Sequence, residues 1–299
     1  MMAHAAGAPP FEEYLSKIDA IDGWLSNGTA RISHAVMLEQ SRRDIHGNIC
    51  EIGVHHGRYF IALAIGLRSG ERGIAVDLFE AQEENIDRSG LGDRAQFEAN
   101  VRRFLDPAAI LAIQGNSTRM SAADITRHGP VRFFSIDGGH TQAITLNDLR
   151  IAEEAICAGG VVALDDILSS HWCGVISGLA DYKHHGGTLA AFALVPNKLL
   201  LCKSGDVARY RAFMTASFGS CLEKSGVEMM GDVVDVFGEP SPPPHAAAAP
   251  SSMPDDTERL KRELEALQVR LDRVLSSRRY RLGTAIANAY NRLRLSRSA

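Results

Sequence analysis

Ile49-Cys50-Glu51-Ile52-Gly53-Val54-His55-His56-Gly57 is the stretch from which the fold of this chain is read. It begins as a short apolar run of the kind that forms a buried strand. It ends on two glycines spaced Gly-x-x-x-Gly, after which a helical pattern follows. Gly53 lets the backbone turn tightly and approach a ligand, and Gly57 permits close packing where the helix starts. Strand, glycine turn and helix in that order open a Rossmann-like α/β unit. The same alternation continues outward. Residues 48–54, 73–78, 109–114, 131–136 and 160–164 are short segments rich in Ile, Val or Phe, and the intervals between them are long enough for crossover helices. That pattern predicts a parallel sheet with helices on both faces. Segments 190–195 and 198–202 flank Pro196-Asn197, so the sheet is expected to end in a hairpin. Ahead of the sheet, residues 11–43 carry apolar side chains at helical spacing (Tyr14-Leu15, Ile18, Ile21, then Ile32 and Val36-Met37) and are predicted to be helical.

Three successive strand ends carry polar groups in the crevice where open α/β sheets bind ligands. The first is the glycine turn, backed by the free N–H groups and positive dipole end of a helix. The second is Asp77, about 20 positions further on, where a carboxylate can accept hydrogen bonds from both ribose hydroxyls of an adenosine ligand. The third is Gln114-Gly115-Asn116-Ser117, whose Asn116 and Ser117 suit an adenine edge. A dinucleotide needs a second glycine where this chain has the bulky His55, and Glu51 would oppose a pyrophosphate. Glu51 suits a ligand carrying a sulfonium and an ammonium. These residues therefore favour S-adenosylmethionine, held by Glu51, Gly53, Gly57, Asp77, Asn116, Ser117 and Asp137. Read singly, the glycine motif is also an ordinary turn, and Asp77 an ordinary helix N-cap.

The fourth strand runs into Asp137-Gly138-Gly139-His140 and the fifth into Asp165-Asp166. Adjacent parallel strands place their C-terminal ends side by side, so Asp137 should lie near Asp165 and Asp166. Three clustered carboxylates repel one another unless a positive charge sits between them. Magnesium or calcium, with their preference for oxygen ligands, would supply it. A metal on a hydroxyl oxygen lowers its pKa, as metals do for bound water. His140 titrates near neutrality and lies three residues after Asp137, which makes it the expected general base beside Asp137. The plainer alternative has one aspartate capping a helix, another facing solvent, and His140 as a satisfied loop histidine.

Together, Glu51-Ile-Gly-Val-His-His-Gly57, Ile136-Asp-Gly-Gly-His-Thr141 with Asp148 downstream, and Gly159-Gly-Val-Val-Ala-Leu-Asp-Asp166 resemble the Methyltransferase-24 family of class I methyltransferases. That family is similar to the metal-dependent O-methyltransferases of catechols and of antibiotic sugars. The resemblance spans residues 47–203. It implies a seven-stranded Rossmann-like sheet, S-adenosylmethionine, and a divalent metal held by Asp137, Asp165 and Asp166. The catechol enzymes carry a lysine base at the position of His140, so the histidine matches the sugar-modifying branch better. The loop 167–182 is expected to wall the acceptor site, with Trp172 either stacking on a sugar face or packing.

The remaining features bound the chain. Its 299 residues suffice for one large domain and an appendage, and the net charge of -4 gives no reason to expect nucleic acid. Five scattered cysteines without a Cys-x-x-Cys pair argue against a zinc site or disulfide framework and fit a reducing compartment. No signal peptide or membrane span is read, so the expected location is the cytoplasm. The expected divisions are a methyltransferase domain over 1–237 with its core at about 44–204, a Pro/Ala-rich linker over 238–256, and a helical extension over 257–299. Leu260, Leu264, Leu267, Leu271 and Val274 form a short heptad seam that permits a homo-oligomer through 257–275, or a lone helix packed on the core. Residues 276–299 hold six arginines and no acid. That tail suits peripheral contact with an anionic membrane face, an acidic partner, or plain solvation. Its Ser276-Ser-Arg-Arg-Tyr-Arg-Leu-Gly283 is similar to the ends of enzymes that modify bacterial surface polysaccharides. The expected activity is metal-assisted O-methylation of a sugar hydroxyl. The alternatives are a small-metabolite O-methyltransferase and a non-catalytic scaffold that recruits a polysaccharide-assembly complex.

Overall fold

The structure, a computed structural model, describes residues 11–240. Most of the predicted linker, and all of the heptad seam and basic tail, lie outside the described residues, as do the oligomer and membrane contacts assigned to them. Strands β1 (Asn48–Ile52), β2 (Gly73–Asp77), β3 (Ile110–Gln114), β4 (Val131–Ile136), β5 (Ile156–Asp165), β6 (Leu189–Val195), β7 (Lys198–Lys203), β8 (Leu222–Met229) and β9 (Asp232–Phe237) form one sheet in the order β3-β2-β1-β4-β5-β7-β6-β9-β8. The strands from β3 to β5 are parallel, and β7 runs antiparallel between β5 and β6. All seven expected strands form. The sheet also carries a β8–β9 hairpin, joined to β6 through β9, so it has nine strands. The hairpin turns at Met230 and Gly231, both at positive φ (51° and 85°), as tight hairpin turns require. No Asn-Gly or Asp-Gly marks that turn in the sequence, and much of β8 is exposed, so no strong apolar alternation announces it.

The N-terminal segment is two helices, α1 (Phe11–Lys17) and α2 (Asn27–Arg42), where the apolar spacing predicts continuous helix. Between them Gly23 sits at φ 139°, and Ser26 caps α2 by accepting the Thr29 N–H at 3.0 Å. The other helices are α3 (Arg58–Ala64), α4 (Arg94–Phe104), α5 (Ala122–Thr126), α6 (Gln142–Ala155), α7 (Cys173–His184) and α8 (Val207–Phe218). Two apolar cores result, one on each face of the sheet. One takes Ile32 and Met37 of α2, Phe60 of α3, Phe97 of α4 and Tyr210 of α8; the other takes Ile125 of α5, Leu149 of α6 and Leu179 of α7. Among the described residues no helix is long and apolar enough to cross a membrane.

One charged side chain ties the N-terminal edge of the sheet together. Arg132 on β4 is fully buried and pairs with Glu71 at 2.8 Å. It also donates to the carbonyls of Met37 within α2, Gly47 just before β1 and Gly66 just after α3. Removing one partner of a buried pair leaves the other charge uncompensated, which costs about 3–5 kcal/mol. Arg132→Met should therefore lower the urea midpoint by that much stability. An unchanged midpoint would show that the network adds nothing.

Candidate active site

The parallel order reverses between β1 and β4, and ligands bind at the C-terminal strand ends beside such a switch point. A cavity of about 590 Å³ opens there, walled by Gly53, Asp77, Asn116, Ser117, Asp137, His140, Asp165 and Asp166. Gly53 explains how two of these ends meet. Its φ is 87°, and a Cβ there would lie 1.8 Å from the Asp137 carbonyl oxygen. Gly57, at φ 89°, starts α3 against the Phe97 ring. It stands behind the wall, in the packing role that its spacing suggests.

Asp77 closes β2 with both carboxylate oxygens in use. Oδ2 accepts the His55 N–H at 2.8 Å and Oδ1 the Phe79 N–H at 2.7 Å. Each oxygen keeps a further lone pair for a ribose hydroxyl. Burial raises its pKa, against the pull of those N–H groups. Asn116 donates to Glu84 at 2.8 Å and accepts the Thr118 N–H at 3.0 Å. Glu84 and Arg119 thus hold the Asn116 corner of the cavity, joined at 3.1 Å. Ser117 is nearly buried and its carbonyl accepts from Asn147. Asp148 is fully buried beneath the Gly138 turn, and burial lifts its pKa to about 6.

Glu51, expected from the sequence at the ligand, does not face the cavity. It is 1% exposed and does not line the cavity. It accepts from Ser135 at 2.9 Å, and its second oxygen has no hydrogen-bond partner. Burial, only partly opposed by Lys198, lifts its pKa to about 8. A carboxyl that holds its proton near neutrality does not supply the negative charge expected to face a sulfonium. The physical reason is the strand's alternation: Gly53 and Glu51 share a side of β1, but Glu51 lies one step deeper, inside the sheet's packing.

At the opposite end of the cavity the predicted carboxylates do meet. Asp137, His140 and Asp166 each offer a ligand atom, and these atoms lie within 4.8 Å of one another. His140 Nε2 is 3.2 Å from Asp166 Oδ2. Burial and the neighbouring Asp165 charge push Asp137 well above the usual carboxylate range. Asp165 has other partners. It ion-pairs with Lys198, and its Oδ1 accepts from Asn197 and from the Asp166 N–H, each at 2.8 Å. The antiparallel register sets Lys198 directly opposite Asp165. Lys198 is 2% exposed, 3.8 Å from Asp137, and sits over the Tyr59 ring at 4.3 Å. Asp166 and Asn197 both hold positive φ (55° and 65°), a strained backbone that aims their side chains into the cavity.

The donors at this edge fit a divalent cation. Asp137 and Asp166 are carboxylates aimed into one cavity, and Lys198, the cation buried beside them, is already committed to Asp165. Asp22, His55 and His56 form a second cluster of possible ligands. The His55 and His56 rings stack at 3.9 Å and 25°, so they cannot both point an in-plane lone pair at one ion. Sequence pattern alone does not single out Lys198, Asn197, Trp24 or Asp87. Lys198 gives one signal, a charge opening a strand whose next four residues are apolar. Trp172, a candidate sugar platform, instead stacks on the His140 ring at 4.3 Å.

Sheet order and cavity define a Rossmann-like α/β fold with a ligand-sized crevice at its strand ends. Residues 50–167 match the family described as a methyltransferase domain. The match runs from β1 past the Asp165-Asp166 pair. Similar solved structures include the O-methyltransferase NovP, at 14% identity and TM-score 0.48, over 59% of this chain and 80% of that one. An O-methyltransferase from Bacillus cereus in complex with S-adenosylhomocysteine matches at 18% identity and TM-score 0.46, over 64% and 90%. TomG from Streptomyces achromogenes matches at 15% identity and TM-score 0.47, over 67% and 92%. No curated protein matches the sequence.

Proposed function

We propose that this chain transfers the methyl group of S-adenosylmethionine to a hydroxyl oxygen of a sugar-containing acceptor, with help from a divalent cation. The observation that carries the reading is the convergence of Asp137, His140 and Asp166 at one end of the cavity whose other end holds Asp77. Asp137 and Asp166 would hold the cation, which when bound lowers the pKa of a hydroxyl. His140 takes the hydroxyl proton as the oxygen attacks the methyl carbon. The O–CH₃ bond forms, the S–CH₃ bond breaks, and neutral S-adenosylhomocysteine leaves. Asp77 anchors the ribose, which fixes the sulfonium relative to His140. Lys198 holds Asp165 in place and offsets part of the local negative charge. Trp24 lines the cavity and is 75% exposed, so its face is free to stack on a sugar ring.

The test follows a labelled methyl group from S-adenosylmethionine into a panel of nucleoside diphosphate sugars, glycosides and catechols. A sugar should be methylated, and Asp137→Ala should lower the rate by about 100-fold or more. Full activity after exhaustive chelation would remove the cation from the reading. Methylation of catechols alone would remove the sugar.

A further inference from the structure

His140 is held by a residue far from it in sequence. Asp87 Oδ2 accepts the His140 backbone N–H at 2.5 Å and lies 2.9 Å from the His140 ring Nδ1. The other oxygen of Asp87 is occupied, accepting from the Ser89 N–H at 3.1 Å and the Ser89 hydroxyl at 2.7 Å. Both side chains are nearly shielded, at 9% and 10% exposure. Trp172 covers one face of the imidazole. The ring is thus fixed in plane by Asp87 and across its face by Trp172. An ionised carboxylate only accepts hydrogen bonds, so the nitrogen beside it must carry a proton. Asp166 stands farther off, 3.2 Å from Nε2 against 2.9 Å between Asp87 and Nδ1, and has no second hold on the His140 backbone, so in the neutral ring the proton goes to Nδ1 and the lone pair to Nε2.

We propose that Asp87 is the positioning residue for His140. It selects the tautomer with the proton on Nδ1 and turns Nε2 toward the acceptor. The proposal rests on the reading of His140 as the base. Asp87 lies between β2 and α4, on a loop that also supplies Asn85, Arg88, Ser89 and Gly90 to the cavity wall. The loop that walls the cavity therefore also sets the base. A carboxylate behind a histidine fixes its ring and tautomer in this way, and removing such a partner lowers activity by about 10–100-fold.

The direct test uses the full chain with ¹⁵N-labelled histidine and needs no acceptor. Ring-nitrogen NMR at a pH where the imidazole is neutral reports the tautomer, and His140→Gln assigns the signal. The native protein should show His140 protonated at Nδ1, and Asp87→Ala should shift it toward the Nε2-protonated form. An Nε2-protonated native ring, or a tautomer unchanged by Asp87→Ala, overturns the proposal. A second arm measures kcat on whichever acceptor the methyl-transfer panel identifies. Asp87→Ala should lower kcat by about 10–100-fold with S-adenosylhomocysteine affinity retained. In a His140→Ala background the same change should add nothing, because Asp87 acts through that ring. Equal losses in both backgrounds would assign Asp87 a purely structural role and overturn the proposal. If His140→Ala alone left kcat unchanged, the base assignment would fall, and the NMR arm would still report whether Asp87 sets the ring.

Discussion

Gly53→Ala should abolish measurable S-adenosylhomocysteine binding in calorimetry, weakening it by about 100-fold or more, or roughly 2.7 kcal/mol. Two costs combine. The residue sits at φ 87°, where a side chain adds about 1–2 kcal/mol. The added Cβ would also lie 1.8 Å from the Asp137 carbonyl, a backbone atom that no rotamer change can move. Relief requires β1 and β4 to separate at the strand ends that carry Gly53 and Asp137 into the cavity wall. Gly186→Ala is the control, because Gly186 has a similar φ of 84° and nothing within 4 Å of where an added methyl would stand. It should cost only the backbone term, read as a small fall in the urea midpoint, and leave binding intact. If both variants bound equally well, the close approach of Gly53 to Asp137 would not be what builds the cofactor end.

His140→Ala should lower kcat by about 10²–10⁴-fold, the range for loss of a positioned general base. S-Adenosylhomocysteine affinity should change little. The pH profile carries a second signature. Burial pulls the imidazole pKa down, but the hydrogen bonds to Asp166 and Asp87 outweigh it, and the net shift is above 6.5. A base acts in its neutral form, so the rate should rise with pH through a midpoint above that value. The stability sign is opposite. A raised folded pKa gives stability that is present below the unfolded pKa and lost as pH rises through the folded one. The native protein should therefore lead His140→Ala most at low pH, a lead that shrinks as the imidazole deprotonates. A rate limb that survives in His140→Ala would assign the titration to another group.

Strands β1 to β7 are legible in the sequence because a strand covered on both faces of the sheet is apolar on both, and such runs stand out against polar loops. Gly53, Asp77, Asp137, Asp165 and Asp166 are legible because each lies at a strand end, where chain order alone predicts a shared edge. The β8–β9 hairpin is not legible, since its exposed edge needs no apolar alternation. Nor is the break between α1 and α2, where one glycine interrupts an otherwise continuous spacing.

Local pattern says which residues stand at the ligand edge; it does not say which of them touch. The Lys198–Asp165 pair depends on antiparallel register between strands far apart in the chain. It gives Asp165 a partner that no motif suggests. The His140–Asp87 contact depends on a loop folding back across 53 residues. Glu51 belongs to the motif, but its proton is decided by the dielectric around it, and that exists only once the sheet is packed. Spacing is a property of the chain, whereas partners and charge states arise from burial.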